Sequence, residues 1–381
     1  MPIPLCTPRV IGRLILFLLL GNLLASNTRC LAQDALFSQY FAFKNILNPA
    51  LAGFEDGAAF HTQYRRQWFV LDGGAKSFIL QGASANFSIP AIQSGFSLSY
   101  LNSQMGEGAL TWNQVALSYA WRTRSCNQVF SDREWELSLG GTLSYNTYNF
   151  QDNNFIFSDQ LELFSNVLTT SQYQFRGDLQ GLNPYVDIST GGLFNWEYGQ
   201  NAVSVGVAVH HLVRVENSLF GREDTLSPRF TLHASHVFNR VFGGTSNQNI
   251  QIIALAKLDM QAASWPADNN WSQLIDMGLM FNLRNLPGVY GGALFRIANL
   301  SEVNQQTNAI VLVGGVELGN AIQLDRADYL TRIGFSWDIN PSGLRSDGGG
   351  TFEISLSLNL PQFSLMGCNS RFKMKNQCPK F

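Results

Sequence analysis

The feature that most restricts this chain is a strict two-residue alternation. In residues 351–360, Phe352, Ile354, Leu356, Leu358 and Leu360 alternate with Thr351, Glu353, Ser355, Ser357 and Asn359. Successive strand residues face opposite sides of a sheet, so this segment has one apolar face and one polar face. The pattern recurs in 114–122 (Val115, Leu117, Tyr119, Trp121), in 202–209 (Val203, Val205, Val207, Val209) and in 95–102 (Phe96, Leu98, Tyr100). The alternate face is mostly Ser, Gly, Asn and Thr. A soluble sheet normally coats its outer face with Lys and Glu. Charged residues are only 14% of this chain, against about 25% in ordinary soluble domains. A barrel with lipid outside and small polar residues lining a wet lumen accounts for both facts.

The remaining organisation fits such a barrel. Arg9 and Arg13 precede an apolar run from Leu14, and Cys30-Leu31-Ala32 offers small residues before Gln33. Residues 1–32 therefore read as a cleaved signal peptide, and no later stretch is apolar for long enough to form a transmembrane helix. Strand patterns fall at 58–66, 77–89, 94–102, 110–123, 134–149, 184–194, 202–211, 229–238, 249–258, 273–282, 289–297, 308–318, 327–339 and 351–360. That is fourteen, an even number as single-chain bacterial barrels require. With both ends of the chain in the periplasm, the outward connections are the longer set and include 150–183; outward loops are normally the longer ones. The expected fold is all-β: a 14-stranded antiparallel transmembrane β-barrel over 58–360. The aromatic and polar segment 33–57 would plug it or cover its periplasmic end. A short basic tail, 361–381, would follow in the periplasm.

Chemical motifs are missing. No Walker loop, G-x-S-x-G elbow or H-E-x-x-H occurs, and Gly348-Gly349-Gly350 has no helix after it to cradle a phosphate. Acids are sparse on the strands, and no close pair suggests hydrolysis. His210 and His211, adjacent on a strand, should face opposite sides, as should His233 and His236. Neither pair forms a metal site, so no cofactor, no metal and no catalytic residue is expected, and the chain is not read as an enzyme. Of the cysteines after the leader, Cys368 and Cys378 suggest a disulfide in an oxidising periplasm, leaving Cys126 in a turn. The near balance of 25 Lys+Arg and 27 Asp+Glu gives no reason to expect nucleic acid as a partner.

Short strings in a fixed order add a family resemblance. The expected mature start reads Gln33-Asp34-Ala35-Leu36-Phe37-Ser38-Gln39-Tyr40. Asn45, Leu47-Asn48-Pro49-Ala50, Ala52-Gly53 and Tyr64-Arg65-Arg66-Gln67-Trp68 follow. Later come Gly106-Glu107-Gly108-Ala109-Leu110, Phe157-Ser158-Asp159-Gln160, His210-His211-Leu212 and Ser227-Pro228-Arg229-Phe230-Thr231-Leu232-His233-Ala234. Trp337-Asp338-Ile339-Asn340, Gly349-Gly350-Thr351-Phe352-Glu353-Ile354-Ser355-Leu356 and Cys378-Pro379-Lys380-Phe381 complete the series. Together these resemble the PorP/SprF family of type IX secretion proteins from Bacteroidetes, whose opening reads like Q-D-P-x-F-S-Q-Y, then L-N-P-A-x-A-G, then Y-R-x-Q-W. Ala35 and Phe69 stand where that family often has Pro.

The resemblance implies a non-enzymatic outer-membrane barrel serving type IX secretion. Its partners would be outer-membrane lipid, periplasmic ring or peptidoglycan-linked lipoproteins, and a secreted adhesin, such as a gliding adhesin, with a C-terminal secretion signal domain. The motif residues it marks are Phe37, Ser38, Gln39, Tyr40, Asn48, Pro49, Gly53, Tyr64, Arg65, Gln67, Trp68, Asp159, Gln160, His211, Arg229, His233, Asp338 and Glu353. They serve either structure or partner binding. The reading favoured for Tyr64, Arg65, Gln67 and Trp68 is that they pin the N-terminal segment to the barrel, while the outer loops 150–183 and 212–228 meet the exported partner. The competing reading is a passive porin or small-molecule transporter, which the strand arithmetic fits equally well.

Overall fold

The alternation becomes fourteen strands: β1 (Ala58–Gln67), β2 (Phe78–Ile89), β3 (Ser94–Met105), β4 (Leu110–Ser125), β5 (Arg133–Phe150), β6 (Tyr185–Tyr198), β7 (Asn201–His210), β8 (Arg229–Val241), β9 (Asn249–Ala262), β10 (Trp271–Leu283), β11 (Gly288–Asn299), β12 (Gln306–Gly319), β13 (Leu330–Ile339) and β14 (Thr351–Leu360). The computed structural model describes residues 34, 36–68, 78–105, 110–125, 133–150, 183–198, 201–213, 215, 226–241, 249–262, 271–283, 288–299, 306–319, 330–339 and 350–361. The leader, Asp159, Gln160, Cys126, Cys368, Cys378, most of the two long outer loops and the tail lie outside those residues.

Each strand pairs antiparallel with its sequence neighbours, and β1 closes on β14 from Ala58↔Leu360 to Gln67↔Thr351. Closure leaves no sheet edge in lipid, where an unpaired backbone N–H or C=O would cost several kcal/mol. Among the described residues no helix is long and apolar enough to cross a membrane; the strands are what span it.

The two faces sort as the alternation requires. On β14, Glu353 is 0% exposed while its neighbour Ile354 is 47% exposed. On β7, Val205 and Val207 face out and Ser204, Gly206 and Ala208 face in. Aromatic residues ring both ends of the outer face: Trp121, Trp135 and Trp196 at one end, Phe78, Tyr100 and Tyr145 toward the other. Such girdles sit at the headgroup level of a bilayer. The β5–β6 connection spans residues 151–184, whereas only two residues separate β6 from β7. The end with the longer connections is therefore the outward end.

One expectation is qualified and another corrected. The inward face is mostly small and polar, as expected, but not throughout. Leu193, Val237, Ile253, Leu255, Met280, Leu294, Val311 and Val313 are buried inside the barrel, in one cluster with Tyr40, Phe41, Leu47 and Leu51 of the N-terminal segment. Apolar side chains point inward because an apolar segment is there to meet them, so burial rather than hydration decides those positions. Nor do both ends of the described chain lie on the periplasmic side. The end of β14 does, but Asp34 sits beside Arg229 at the outward end of β8. Residues 36–57 run the length of the lumen, down to Gly57 beside Leu360.

Candidate functional site

The N-terminal segment contacts inward-facing residues on opposite walls of the barrel, and most of the described motif residues meet there. It has little regular structure: one helical turn, Lys44–Leu47, and one 3-10 turn, Pro49–Leu51. Its polar groups must therefore be satisfied by the wall.

At the outward end, Glu353 of β14 accepts hydrogen bonds from the backbone N–H of Ser38 at 2.5 Å and of Gln39 at 2.9 Å. Gln63 and Arg65 of β1 donate to the same carboxylate at 3.0 and 2.8 Å. The Ser38 hydroxyl donates to Asp338 Oδ2 at 2.5 Å and accepts from Arg65 and Arg296 at 2.8 and 2.9 Å. From there a chain of buried ion pairs runs along the wall. Arg296 binds Asp338 at 3.0 Å and Asp276 at 2.7 Å, and Lys257 lies 3.0 Å from both Asp276 and Asp259. Lys257 Nζ also lies 4.8 Å from the centre of the Tyr40 ring, a cation–π arrangement. The segment is thus seated on an arc of charges from β1, β9–β11, β13 and β14. Each carboxylate in the arc has a cation in contact, as buried charges require.

Midway down, Asn48 is fully buried and caps the 3-10 turn, its Oδ1 accepting from Ala50 N–H at 2.9 Å. Its Nδ2 donates to the carbonyls of Gly192 and Val207 and lies 3.0 Å from His233 Nε2. This part of the segment fits because the wall is glycine there. A Cβ on Gly140 would lie 2.5 Å from the Ala50 nitrogen, and one on Gly191 would lie 2.1 Å from Asn48 Oδ1. Ser138 donates to the Ala50 carbonyl at 2.7 Å, and Arg122 donates to the Ala52 carbonyl. Near the periplasmic end Gly53 has φ +58°, and a Cβ would lie 2.2 Å from the Phe87 carbonyl oxygen. Only glycine tolerates both demands.

The last anchor holds Asp34. His211 Nε2 and Arg229 both lie 2.7 Å from its Oδ2, and His211 Nδ1 lies 2.8 Å from Asp187 of β6. His211 sits one residue beyond β7 with φ +60°. That kink turns it inward with His210, so both histidines are buried on the lumen side and the expected opposite facing is corrected. His233 and His236 do face opposite ways: His233 is buried against Asn48, and His236 meets the Tyr198 hydroxyl at 2.9 Å. Burial alone would push His211 down, but the charge of Asp34 and the hydrogen bonds to Asp187 and Asp34 lift it to about 9. Burial likewise opposes ionisation of Asp34, yet His211 and Arg229 hold its carboxyl well below the usual range.

The pH dependence follows from both signs. The His211 contribution is complete below pH ~6.5 and fades as pH rises through about 9. The Asp34 contribution is complete above pH ~4 and fades as pH falls further. Between pH 7 and 10 the wild type should lose about 3 kcal/mol of stability, read as urea midpoints, and His211→Gln should flatten that slope. An unchanged slope in the variant would contradict the assignment.

The remaining motif residues divide. Phe37 packs on Phe43 inside the barrel. Pro49 is buried in the 3-10 turn, and Gln67 ends β1 opposite Thr351. Tyr64 faces out against Phe352, and Trp68 packs edge-on against Phe78 while its backbone N–H donates to the Gly350 carbonyl at 2.8 Å. So Arg65 binds the segment directly, whereas Tyr64 and Trp68 lie in the outer aromatic belt. Sequence reasoning missed Lys257, Asp259, Asp276 and Arg296. Their signal was available: charges at inward positions of strands in a chain with few charges. Two acids, Asp338 and Glu353, converge on Ser38 and are each paired with Arg.

The family described as type IX secretion system membrane protein PorP/SprF matches residues 30–358 of this chain. The chain belongs to the PorP/SprF family. No curated protein matches it. Among solved structures, a FadL homologue of Pseudomonas aeruginosa is similar at 9% identity and a TM-score of 0.43, with 83% of this chain and 93% of that one covered. The outer membrane protein Omp33 of Acinetobacter baumannii is similar at 12% identity and a TM-score of 0.35, covering 80% and 98%. Of the residues singled out in the sequence, Phe37–Tyr40, Asn48, Arg65, His211, Arg229, Asp338 and Glu353 are largely the contacts that seat one segment of the chain inside its own barrel.

Proposed function

We propose that this outer-membrane barrel of the type IX secretion system is a non-enzymatic, non-conducting docking unit. It helps export or surface anchoring of a partner protein, such as a gliding adhesin, or links the machine to its periplasmic ring. The observation that carries this reading is the filled lumen. Residues 36–57 pack an apolar cluster against one wall and hydrogen-bond to strands around the barrel. A porin needs a continuous water path, and a segment packed along the lumen narrows that path. The pairing of Glu353, Asp338, Asp276 and Asp34 with Arg or Lys weighs against a hydrolase, which needs an acid or base free to exchange a proton. With the interior occupied, partners are left the outer loops 150–183 and 212–228 and the periplasmic face.

The test is capture of a tagged copy from gently solubilised outer membranes of the native host, followed by mass spectrometry. Recovery of a large secreted protein supports the cargo version, and recovery of periplasmic ring components supports the machine version. A lone barrel in good yield contradicts both.

A further inference from the structure

Beside Asp34, between the N-terminal segment and the wall built by β3–β7, lies a small polar cavity in the outward half of the lumen. Its volume is about 50 Å³, room for a few water-sized groups and nothing of sugar size. Asp187 lines it and is 2% exposed. Its Oδ2 is taken by His211, whereas its Oδ1 is buried and has no hydrogen-bond partner among the described residues. His210 lines the same cavity, and its Nε2 is also buried without a partner among the described residues. The hydroxyls of Thr142, Ser144 and Ser189 border the space. A buried carboxylate oxygen with no donor costs about 1–3 kcal/mol or more, so this wall is shaped for a donor that the protein's described side chains do not supply.

We propose that this cavity is a binding site for a primary ammonium group. An ammonium is compact, carries three donors and asks for a carboxylate oxygen with hydroxyl acceptors around it. Asp187 Oδ1 with the neighbouring hydroxyls is that set. A guanidinium binds best through both carboxylate oxygens, and His211 already holds one. A metal ion would need a cluster of His, Cys, Asp or Glu, and none is found among the described residues. Asp34 and Asp187 balance Arg229 and protonated His211, so no net positive charge repels the ligand. Two sources share the chemistry. One is an amine from outside, such as a lysine of a bound polypeptide. The other is the chain's own amino terminus, which rests on the leader reading that ends near Gln33. Asp34 lines the cavity, and consecutive Cα atoms are about 3.8 Å apart.

The experiment uses the purified mature protein in detergent at constant ionic strength, with two arms. In the first, methylammonium is compared with tetramethylammonium, which is bulkier and has no N–H. A rise in unfolding temperature of about 3 °C with methylammonium alone, lost in Asp187→Asn, supports the site with an external amine. In the second, acetylation of the α-amine is followed by mass spectrometry in the folded protein and in the same chain unfolded in SDS. Labelling at least ten-fold slower in the folded wild type, but not in folded Asp187→Asn, supports the chain's own terminus. The wild-type comparisons stand even if that variant fails to fold. No response to methylammonium together with equal α-amine labelling, or with a terminus blocked as pyroglutamate, overturns the proposal and leaves the cavity to water.

Discussion

Replacing Glu353 by Ala should destabilise the barrel by about 3 kcal/mol and loosen the start of the N-terminal segment. Glu353 is fully buried and accepts five hydrogen bonds, two from backbone N–H groups and three from Gln63, Arg65 and, at 3.5 Å, Ser336. Its loss leaves those donors in the lumen without their acceptor. The Arg65 charge would keep only the more distant Asp338, 3.7 Å away. Removing one partner of a buried pair costs more than the pair itself contributes, because the other charge stays buried. The measurement is urea unfolding of the refolded barrel, with hydrogen exchange at Ser38 and Gln39 as the local readout. Wild-type exchange at those two amides would contradict the proposed anchoring.

The second large effect separates the two faces of one strand. Gly140 and Gly141 are neighbours on β5 and face opposite ways. A side chain at Gly140 collides with the backbone of Pro49 and Ala50, whereas the nearest atom to a Cβ on Gly141 is 3.8 Å away. Asn48 and Ser138 tie that stretch of the segment to the wall, so it has no easy way to yield. Gly140→Leu should displace the middle of the segment at a cost of about 3 kcal/mol or more and expose residues 45–52 to added protease. Gly141→Leu should be close to neutral, because it adds an apolar side chain to a lipid-facing position. Equal protease resistance in the two variants would mean that the segment does not press on Gly140.

The strands were legible because two environments act on alternate residues. Lipid selects Val203, Val205 and Val207, and the crowded interior selects Ser204, Gly206 and Ala208, so the pattern alone predicts 202–211 against the observed Asn201–His210. Another boundary is less exact. Residues 184–194 are expected where Tyr185–Tyr198 is found; the alternation in fact runs on, with Phe194 and Trp196 facing out and Asn195 buried. The filled interior was written in the sequence but in a different signal. Ile310-Val311-Leu312-Val313 and Ile252-Ile253 are apolar on both faces, as strands covered on both sides are. Lipid explains Ile310 and Leu312; only an apolar guest inside the barrel explains Val311 and Val313.

The site itself was readable as residues but not as an arrangement. Ser38 and Glu353 are 315 positions apart, and no local rule joins them. Only closure of β1 on β14 places Glu353 opposite Arg65, so their partnership follows from topology. His211 shows the reverse failure: strand periodicity set its side correctly only as far as His210, and one residue in a left-handed conformation changed the outcome.

The most direct test of the central claim is single-channel recording of the full mature protein reconstituted in a planar bilayer. A barrel whose lumen is filled by residues 36–57 should give no open-channel steps, while Gly140→Leu, with the segment displaced, should give them. Regular, long-lived conductance steps from the wild type would contradict the account and return the porin reading to first place.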